Sequence, residues 1–440
     1  MGLLDATLSD GRRWTKVGDC FEITRKPRGL RVSEDEAVPF VPMDAIPQGG
    51  HYEPRYDTKL GAHITSGTYF ERGDLLIAKI TPSFENGKQA WAKGLPAPFG
   101  YATTEVIPLR PKSPCNDRRL LFFYLLHPEI RSFISERMEG STGRQRVPEQ
   151  VLLELPYPEL PLEDQRAIAD TLECITQKIE LEDHSAQTAQ ELKRAAMREL
   201  FTRGLHGEPQ KDTEIGPVPE SWTVGSFSDV REWLQYGTSV HCTLQKKSYP
   251  VLRIPNVEPG KVNDAELKYC DLPDKEASKY LLQSGDLLFI RTNGVLERLG
   301  SCAVYSGQPE NALFASYLIR ARLKPDIDPR FVAYFYASSI GISLVAGRAT
   351  PAADGKYNLN TGTIDSLPLP LPRTLDEQRE IVTILDAIDR KITLHRQKRA
   401  VLEELFQSLL HKLMTGEIAV SDLDLSALSP ASTQPEEAKA

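Results

Sequence analysis

The chain repeats itself once along its 440 residues, at an interval of 212 to 213 positions. The segment ERGDLLIAKI at 71–80 matches QSGDLLFIRT at 283–292, which places Gly73-Asp74 212 positions before Gly285-Asp286. A repeat constrains the architecture more strongly than a single motif, because both copies are expected to adopt the same fold. Further matches at this interval, or one residue beyond it, are FFY at 122–124 with YFY at 334–336, Gly143 with Gly355, Leu155-Pro156 with Leu367-Pro368, and DQR at 164–166 with EQR at 377–379.

The second part of each copy has the periodicity of a long helix. Its apolar residues are spaced alternately by four and three positions, as in a heptad seam. Neither helix has a second helix nearby in the sequence, so we expect the two seams to bury each other in an antiparallel coiled coil, interrupted at Glu182, Lys193, His395 and Arg399. The predicted helix–helix core consists of Ile168, Leu172, Ile175, Ile179, Ala186, Ala189, Ala196 and Leu200 in the first copy and Ile381, Leu385, Ile388, Ile392, Leu402, Phe406, Leu409 and Leu413 in the second.

The remainder of each copy mixes strand-like and helical stretches, which predicts an α+β fold. LLIAKI at 75–80 and DLLFIRT at 286–292 have the apolar character and the flanking turn residues of core strands. DRRLLFFYLL at 117–126 and PRFVAYFYAS at 329–338 are predicted to be short helices. The sequence thus predicts two related domains and two long helices that separate them.

The expected domain boundaries follow from these patterns. Residues 1–160 form a first globular domain, 161–203 a first long helix, 204–219 a Gly- and Pro-rich linker, 220–372 a second globular domain, 373–417 a second long helix and 418–440 a disordered acidic tail.

The composition excludes several classes of protein. No apolar run is long enough to span a membrane, and six widely spread cysteines without a CxxC pair indicate a reduced cytoplasmic protein without disulfides or metal. The net charge of −8 is unusual for a chain that binds phosphate. The charge is uneven, however, because 417–440 holds five acids against one base, whereas 110–146 holds eight bases against four acids.

The order of these segments resembles that of the specificity subunits of type I restriction-modification systems, over nearly the whole chain. The segments that carry the resemblance are LPYPELPLEDQR at 155–166, ELFTRGL at 199–205, TEIGPVPESW at 213–222, LPLPLPRTLDEQR at 367–379 and LLHKLMTGEI at 409–418.

The resemblance implies two target-recognition domains, each of which reads one half of a bipartite, asymmetric site in double-stranded DNA. It also implies that the helices set the spacing between the half-sites and dock two modification subunits, and through them the restriction subunits. S-adenosylmethionine, ATP and magnesium would then belong to those partners, and this chain would bind no cofactor and catalyse no reaction.

Loops that follow core strands are the natural places for base contacts, because the fold positions side chains while the side chains themselves read the bases. The predicted DNA-contacting residues are Lys79, Thr81, Ser83, Asn86, Lys88, Thr142, Arg144, Gln145 and Arg146 in the first domain, and Arg291, Thr292, Asn293, Arg298, Lys356, Tyr357 and Asn358 in the second.

Other interpretations of these features stay open at this point. The two Gly-Asp pairs are expected to be turns before core strands, and Trp14 and Trp222 to be packing residues. The DQR and EQR segments fit either helix starts or docking surface. A coiled-coil scaffold that binds no DNA, or an enzyme with its own site, are the rival functions, although the chain has neither a Walker A pattern nor an Asn-Pro-Pro-Tyr motif.

Overall fold

The computed structural model describes Leu3 and residues 13–49, 52–141 and 143–423. The chain divides into two compact units. The first consists of Met1–His184 with Arg396–Ala440, and the second of Ser185–His395. Each unit therefore contains one globular domain together with part of each long helix. Among the described residues, no helix is both long and apolar enough to cross a membrane.

The elements of the first domain are short strands and helices that precede the first long helix. The strands are β1 (Trp14–Lys16), β2 (Phe21–Ile23), β3 (Ala37–Val41), β4 (Asp57–Leu60), β5 (Thr68–Glu71), β6 (Leu75–Ala78), β7 (Gln89–Trp91), β8 (Phe99–Ala102), β9 (Val106–Pro111) and β10 (Pro156–Pro158). The helices are α1 (Val17–Cys20), α2 (Arg118–Tyr124), α3 (Pro128–Ser135), α4 (Glu149–Leu153) and the long α5 (Leu162–Arg203).

Two four-stranded sheets organise this domain, in the orders β2-β9-β6-β7 and β4-β3-β8-β5. Helix α2 supplies the centre of the core, since its run from Leu120 to Tyr124 is fully buried. The helix begins where the Asp117 carboxylate accepts a hydrogen bond from the backbone N–H of Arg119, which satisfies one of the free donors at a helix start. Ile77 of β6 and Leu109 of β9 join the same apolar cluster.

The second domain follows the first long helix. Its strands are β11 (Gln210–Thr213), β12 (Gly216–Pro219), β13 (Thr223–Ser226), β14 (Arg231–Tyr236), β15 (Tyr249–Leu252), β16 (Val257–Glu258), β17 (Gly260–Val262), β18 (Lys268–Cys270), β19 (Leu287–Ile290), β20 (Thr292–Asn293), β21 (Cys302–Val304), β22 (Leu313–Phe314), β23 (Leu318–Leu323), β24 (Thr350–Pro351), β25 (Tyr357–Asn358) and β26 (Pro368–Leu371). The helices are α6 (Phe227–Val230), α7 (Asp274–Ala277), α8 (Pro329–Ala337), α9 (Ser339–Ala346), α10 (Thr361–Asp365) and the long α11 (Leu375–Thr415).

The sheets of the second domain repeat those of the first. The run β14-β23-β19-β21 corresponds to β2-β9-β6-β7, and the pair β13-β26 corresponds to β1-β10. Helix α8 takes the place of α2, with Asp328 as its cap and Phe331 to Tyr336 buried. The predicted α+β class and the internal repeat are confirmed.

The long helices pack in antiparallel fashion within each unit. In the first unit Leu172 and Ile175, near the start of α5, share a buried cluster with Phe406 and Leu409, near the end of α11. In the second unit Phe201, at the end of α5, shares a cluster with residues at the start of α11 such as Leu385. Two of the polar interruptions make ion pairs between the helices, Lys193 with Asp389 and Arg399 with Asp183.

At the end of α5 the heptad pattern predicts the wrong buried residues. Ala196 and Leu200 are only partly buried, whereas Met197 and Phe201, one residue further on, are buried. A straight α-helix completes one turn every 3.6 residues. Positions spaced by a strict repeat of seven therefore rotate by about 20° per heptad around the helix axis, away from the face that contacts the partner helix. At the end of α11, Leu410 and Met414 likewise join the core beside the predicted Leu409 and Leu413. Ile168, Ile381 and Ile392 are buried, while Ile179, Ile388 and Leu402 are partly buried.

Two predicted segments contain more structure than the sequence pattern suggests. The linker at 204–219 contains the hairpin β11–β12, in which Gly216 adopts a φ of 96° and Val218 is buried. Glycine permits that turn at no steric cost. The tail predicted from 418 is not wholly disordered, because Ile418, Val420 and Leu423 pack against the core of the first unit. Residues 424–440 lie outside the described part of the chain.

Each domain is joined to its long helix through a buried glutamine. Gln165 of α5 accepts a hydrogen bond from the backbone N–H of Asp117 at 2.8 Å and donates to the carbonyls of Leu160 and Cys115. Gln378 of α11 accepts from the backbone N–H of Asp328 at 2.8 Å and donates to the carbonyl of Asp326. The glutamine of the DQR and EQR segments is therefore structural, whereas the neighbouring Arg166 is exposed.

Candidate nucleic-acid interface

In the first domain the two predicted DNA-contacting segments lie side by side just beyond the end of β6. The backbone N–H of Thr81 donates to the carbonyl of Gln145 at 3.0 Å, and the N–H of Val147 donates to that of Lys79 at 2.8 Å. Ile80 and Arg146 form a β-bridge between these bonds. The N–H of Lys79 also donates to the carbonyl of Glu105 at 2.9 Å. We call residues 79–81, 105 and 144–147 the first junction.

The second domain builds the same arrangement just beyond the end of β19. Strands β20 and β25 are paired, with Thr292 opposite Asn358 and Asn293 opposite Tyr357. The backbone N–H of Leu359 donates to the carbonyl of Arg291 at 2.7 Å. The N–H of Arg291 donates to the carbonyl of Tyr317 at 3.1 Å. We call residues 291–293, 317 and 356–359 the second junction.

The two junctions match residue by residue at an interval of 212. Lys79 corresponds to Arg291, Gln145 to Tyr357 and Arg146 to Asn358, and the backbone hydrogen bonds named above recur between the corresponding pairs. A glycine with positive φ precedes the inner strand of each junction, Gly143 at 81° and Gly355 at 78°. The backbone is therefore duplicated, while the side chains that it presents differ.

Side-chain contacts also differ between the junctions. The Arg146 guanidinium donates from Nε and Nη2 to the two carboxylate oxygens of Glu105, at 2.8 and 2.6 Å, and this pairing lowers the pKa of Glu105. In the second junction the Arg291 guanidinium instead lies over the ring of Tyr236, 4.8 Å from its centroid. Tyr317 occupies the position of Glu105, and 58% of its surface is exposed.

The other predicted contact residues have more varied positions. Arg144 and Lys356 are exposed at the junctions, although Lys356 pairs with Asp354 at 2.9 Å. Lys88 donates from Nζ to the carbonyl of Met43, which commits its ammonium group to the fold. Thr81 donates to Glu85, and Ser83 and Asn86 lie on the loop that follows β6, outside the paired segments. Arg298 is the last residue of a short 3-10 helix (Leu296–Arg298) beyond β20. Thr142 lies outside the described residues.

One group of side chains in the described residues is dense enough to consider as a metal site. Ligand atoms of His127, Glu129 and His411 lie within 4.8 Å of one another. The backbone N–H of Glu129 donates to Nδ1 of His127, so the proton of this neutral ring is assigned to Nε2, which faces His411. A ring nitrogen that carries a proton cannot ligate a metal, and the group is better interpreted as a structural hydrogen-bond chain.

The comparisons with known proteins agree with this duplicated arrangement. Residues 12–192 and 219–404 each match the family described as "Type I restriction modification DNA specificity domain", and together these ranges make up most of the chain. The chain belongs to the type I restriction-modification DNA specificity family.

Several specificity subunits are similar in sequence to this family member. The EcoEI subunit of Escherichia coli is 22% identical over 86% of this chain and 78% of its own length. The EcoKI subunit of Escherichia coli K12 is 26% identical over 61% of this chain and 58% of its own length. The putative MjaX subunit of Methanocaldococcus jannaschii is 31% identical, but the match covers 47% of this chain and 48% of that subunit.

Solved structures have the same fold as this specificity-family chain. A type I restriction-modification S subunit from M. genitalium has a TM-score of 0.53 at 12% identity and covers 92% of this chain and 97% of its own. A chain from a study of complex assembly and conformational transition of the type I R-M system has a TM-score of 0.54 at 19% identity, with coverage of 93% and 99%.

The structure also reveals a basic loop in the first specificity domain that is absent from the predicted contact residues. The loop leaves β2 and carries Arg25, Lys26, Arg28 and Arg31, all exposed. Arg25 pairs with Glu149, while Lys26 lies over the ring of Tyr101. Four basic residues within seven positions can be recognised in the sequence, and runs of this kind are typical of phosphate contacts. This loop stands outside the predicted contact residues because the sequence pattern predicts no strand before it.

Proposed function

We propose that this chain is a DNA-reading subunit whose two domains each recognise one half of a split, asymmetric site. One observation carries the proposal. The fold presents the same backbone junction twice, and the corresponding side chains differ at every position, for example Arg146 against Asn358.

Direct readout explains why a fold would be arranged in this way. Base identity is read by side chains that reach the donors and acceptors on base edges, while the surrounding structure holds them in register. Arginine suits guanine, and asparagine suits adenine. Two junctions with the same backbone and different side chains are therefore suited to two different half-sites.

We also propose that the long helices dock two modification subunits. Leu181 and Leu192 are exposed on α5, and Leu394 and Leu405 are exposed on α11. The second pair lies 213 positions after the first, which is the interval of the repeat in this region. Isolated large apolar side chains are ordinary on a surface, but the recurrence of this pair at the interval of the repeat gives each long helix the same two exposed leucines and supports two equivalent protein contacts.

We propose that this chain itself catalyses no reaction. Methyl transfer and restriction would belong to the modification and restriction subunits, which would also hold S-adenosylmethionine, ATP and magnesium.

Mapping of methylated bases across a genome tests the DNA-reading role. The chain is expressed with its modification subunit in a host without its own methylation, and a strain with the modification subunit alone is the control. We expect a new split motif with modified bases in both halves. Absence of any new motif, with the two proteins soluble and bound to each other, would contradict the proposal and favour a protein-only scaffold.

Native mass spectrometry tests the docking role. The wild-type chain is expected to bind two modification subunits, and Leu181→Asp or Leu405→Asp is expected to reduce this number. Gln407→Asp adds the same charge to an exposed position of α11, about 200° around the helix from Leu405, and should leave the number at two. An unchanged complex for both leucine variants would contradict the proposed contact.

A further inference from the structure

Among the described residues, the ion pair with Glu105 uses two of the five guanidinium N–H groups of Arg146 and leaves three without a hydrogen-bond partner. Nε and Nη2 of Arg146 donate to the two oxygens of Glu105, at 2.8 and 2.6 Å. An arginine has five N–H donors in a rigid plane. The edge formed by Nη1 and the second hydrogen of Nη2 is therefore left over, and it consists of two parallel N–H groups.

The orientation of this free edge is fixed by contacts of both Glu105 and Arg146. The side chain of Glu105 retains only 21% of its exposure, and the backbone carbonyl of Glu105 accepts from Lys79. Arg146 is fixed by its own backbone pairing with Ile80 and Glu139. Its side chain is nevertheless 48% exposed. The guanidinium is thus both oriented and accessible, so little side-chain entropy remains to be lost when it binds a partner.

We infer that Arg146, oriented by Glu105, reads a guanine in the half-site of the first domain. Two parallel N–H groups match the O6 and N7 acceptors of guanine in the major groove, which is the commonest specific contact between protein and DNA. Glu105 acts as a positioning residue. This inference rests on the proposed function, because it supplies the base that one junction recognises.

The second domain provides an internal contrast. At the interval of 212, Asn358 stands in the place of Arg146 and Tyr317 in the place of Glu105. At these two positions the second junction has neither a guanidinium nor a carboxylate, and its own arginine, Arg291, stands in the place of Lys79 and lies over the ring of Tyr236. The guanine contact is therefore specific to one half of the site, and the change of a single side chain should alter only that half.

A purely structural role is the main alternative for this ion pair. An exposed pair that merely ties two loops would contribute about 1 kcal/mol or less to stability and nothing to base choice. Arg55 and Asp44 provide a matched control in the same domain, since they form an exposed ion pair at 3.0 Å away from the junction segments in the sequence. Arg55→Ala should leave the recognised motif as it is in the wild-type protein.

Methylation mapping with Arg146→Ala and Arg55→Ala, each expressed with the modification subunit, tests the inference in cells. The expected result for Arg146→Ala is a motif that loses its requirement for one guanine in one half, while the other half is unchanged. A wild-type chain without any split motif would overturn the proposed function and this inference together. A wild-type motif that Arg146→Ala retains in full would overturn the inference alone.

Binding of the wild-type complex to modified duplexes provides a test that does not depend on the folding of a variant. Each guanine of the site is replaced in turn by 7-deazaguanine, which lacks the N7 acceptor, or by adenine. One guanine should be sensitive to both changes, with a loss of about 5- to 150-fold for adenine. Glu105→Gln should weaken that preference. If no guanine in either half responds to the loss of N7, the inference is wrong.

Discussion

His127 and His411 face each other inside the first unit, with Nε2 of the first ring 3.1 Å from Nδ1 of the second. The rings are stacked at 5.3 Å between centroids, although 284 residues separate them in the sequence. Glu129 supplies a backbone donor to His127, and the Glu417 carboxylate lies 3.6 Å from Nε2 of His411. The chain of hydrogen bonds fastens the end of α11 to α3.

This histidine pair predicts that the first unit loses stability in mild acid. Burial lowers the pKa of His127 to about 4, so in the fold the ring stays neutral at pH values where the unfolded chain, with a pKa near 6.5, takes up a proton. The neutral, buried His127 therefore makes the free energy of unfolding about 3 kcal/mol larger above pH 6.5 than near pH 4, and this difference is lost as the pH falls from 6.5 towards 4. Thermal unfolding from pH 4 to 8 is the measurement.

His127→Asn is the control for that experiment. Asparagine retains an acceptor for the N–H of Glu129 as a helix cap but does not titrate in this range. The variant should have a flatter dependence on pH than the wild-type protein. Because burial raises the pKa of Asp74 to about 6, that carboxyl group contributes the opposite slope in both proteins, and only their difference isolates the histidine. Equal slopes would contradict the assignment.

Asp74 and Asp286 occupy the same position in the repeat but should respond differently to mutation. Each carboxylate accepts a hydrogen bond from the backbone N–H three residues earlier, of Glu71 and of Gln283 respectively. The buried Asp286 also accepts from Nε and Nη2 of Arg322 at 2.8 and 2.9 Å. Asp286→Asn should cost about 2 to 4 kcal/mol, because it removes the charge partner of Arg322. Asp74→Asn should cost less than about 1 kcal/mol at pH 7, since an amide oxygen can accept the same bond.

Hydrogen exchange of peptides from β6 and β19 measures each effect within its own domain. Faster exchange around β19 in Asp286→Asn, with little change around β6 in Asp74→Asn, is the expected pattern. Equal losses in the two domains would show that the arginine pair at Asp286 contributes no more than the backbone bond at Asp74.

The two buried glutamines should be of similar importance to their domains. Replacement of Gln165 or Gln378 by alanine leaves the backbone N–H of Asp117 or Asp328 without its acceptor, which costs about 1 to 3 kcal/mol. Chemical denaturation of each variant measures this loss. Arg166→Ala changes the exposed neighbour of Gln165 and should alter stability by less than about 0.5 kcal/mol. A larger loss for Arg166→Ala than for Gln165→Ala would contradict the structural assignment.

The basic loop after β2 should contribute affinity without sequence preference. Replacement of both Arg28 and Arg31 by alanine is expected to weaken DNA binding of the assembled complex. It should also reduce the slope of log K against log salt by up to about 0.9 for each phosphate that the variant no longer neutralises. Arg25 is retained, because it pairs with Glu149. Titrations at several salt concentrations test this, and a changed methylation motif would argue for base contact by the loop.

Much of the architecture could be predicted from the repeat and from apolar periodicity. The antiparallel helix pair followed from the heptad seam, and the α+β class followed from the mixture of short strands and helices. The final turns of α5 deviated, because Met197 and Phe201 take the core positions that a strict heptad gives to Ala196 and Leu200. A sequence pattern states the period of a helix but not the slow rotation of its buried face.

The candidate site was predictable only in part. Comparison of the two copies identified the segments that meet at each junction, since matching loops are expected to lie at matching places. It could not predict that Glu105 orients Arg146, because their separation of 41 residues is bridged only by sheet pairing. Nor could it predict that Lys88 is committed to the carbonyl of Met43. The direction of a long side chain depends on partners that are distant in sequence.

The hydrogen bonds of Gln165 and Gln378 have a consequence for the exchange of a domain between related chains. Gln165 and Gln378 hold their domains entirely through main-chain atoms, and a main chain offers the same donors and acceptors whatever side chains it carries. These hydrogen bonds therefore do not depend on the side chains of the residues that accept or donate them, whereas the ion pairs of Arg119 with Asp170 and of Arg330 with Asp386 join the same domains to the same helices through side chains. On the proposed function, a domain with another base preference would keep these main-chain hydrogen bonds when it is exchanged on the same helices, provided that the ion-paired residues are exchanged with it.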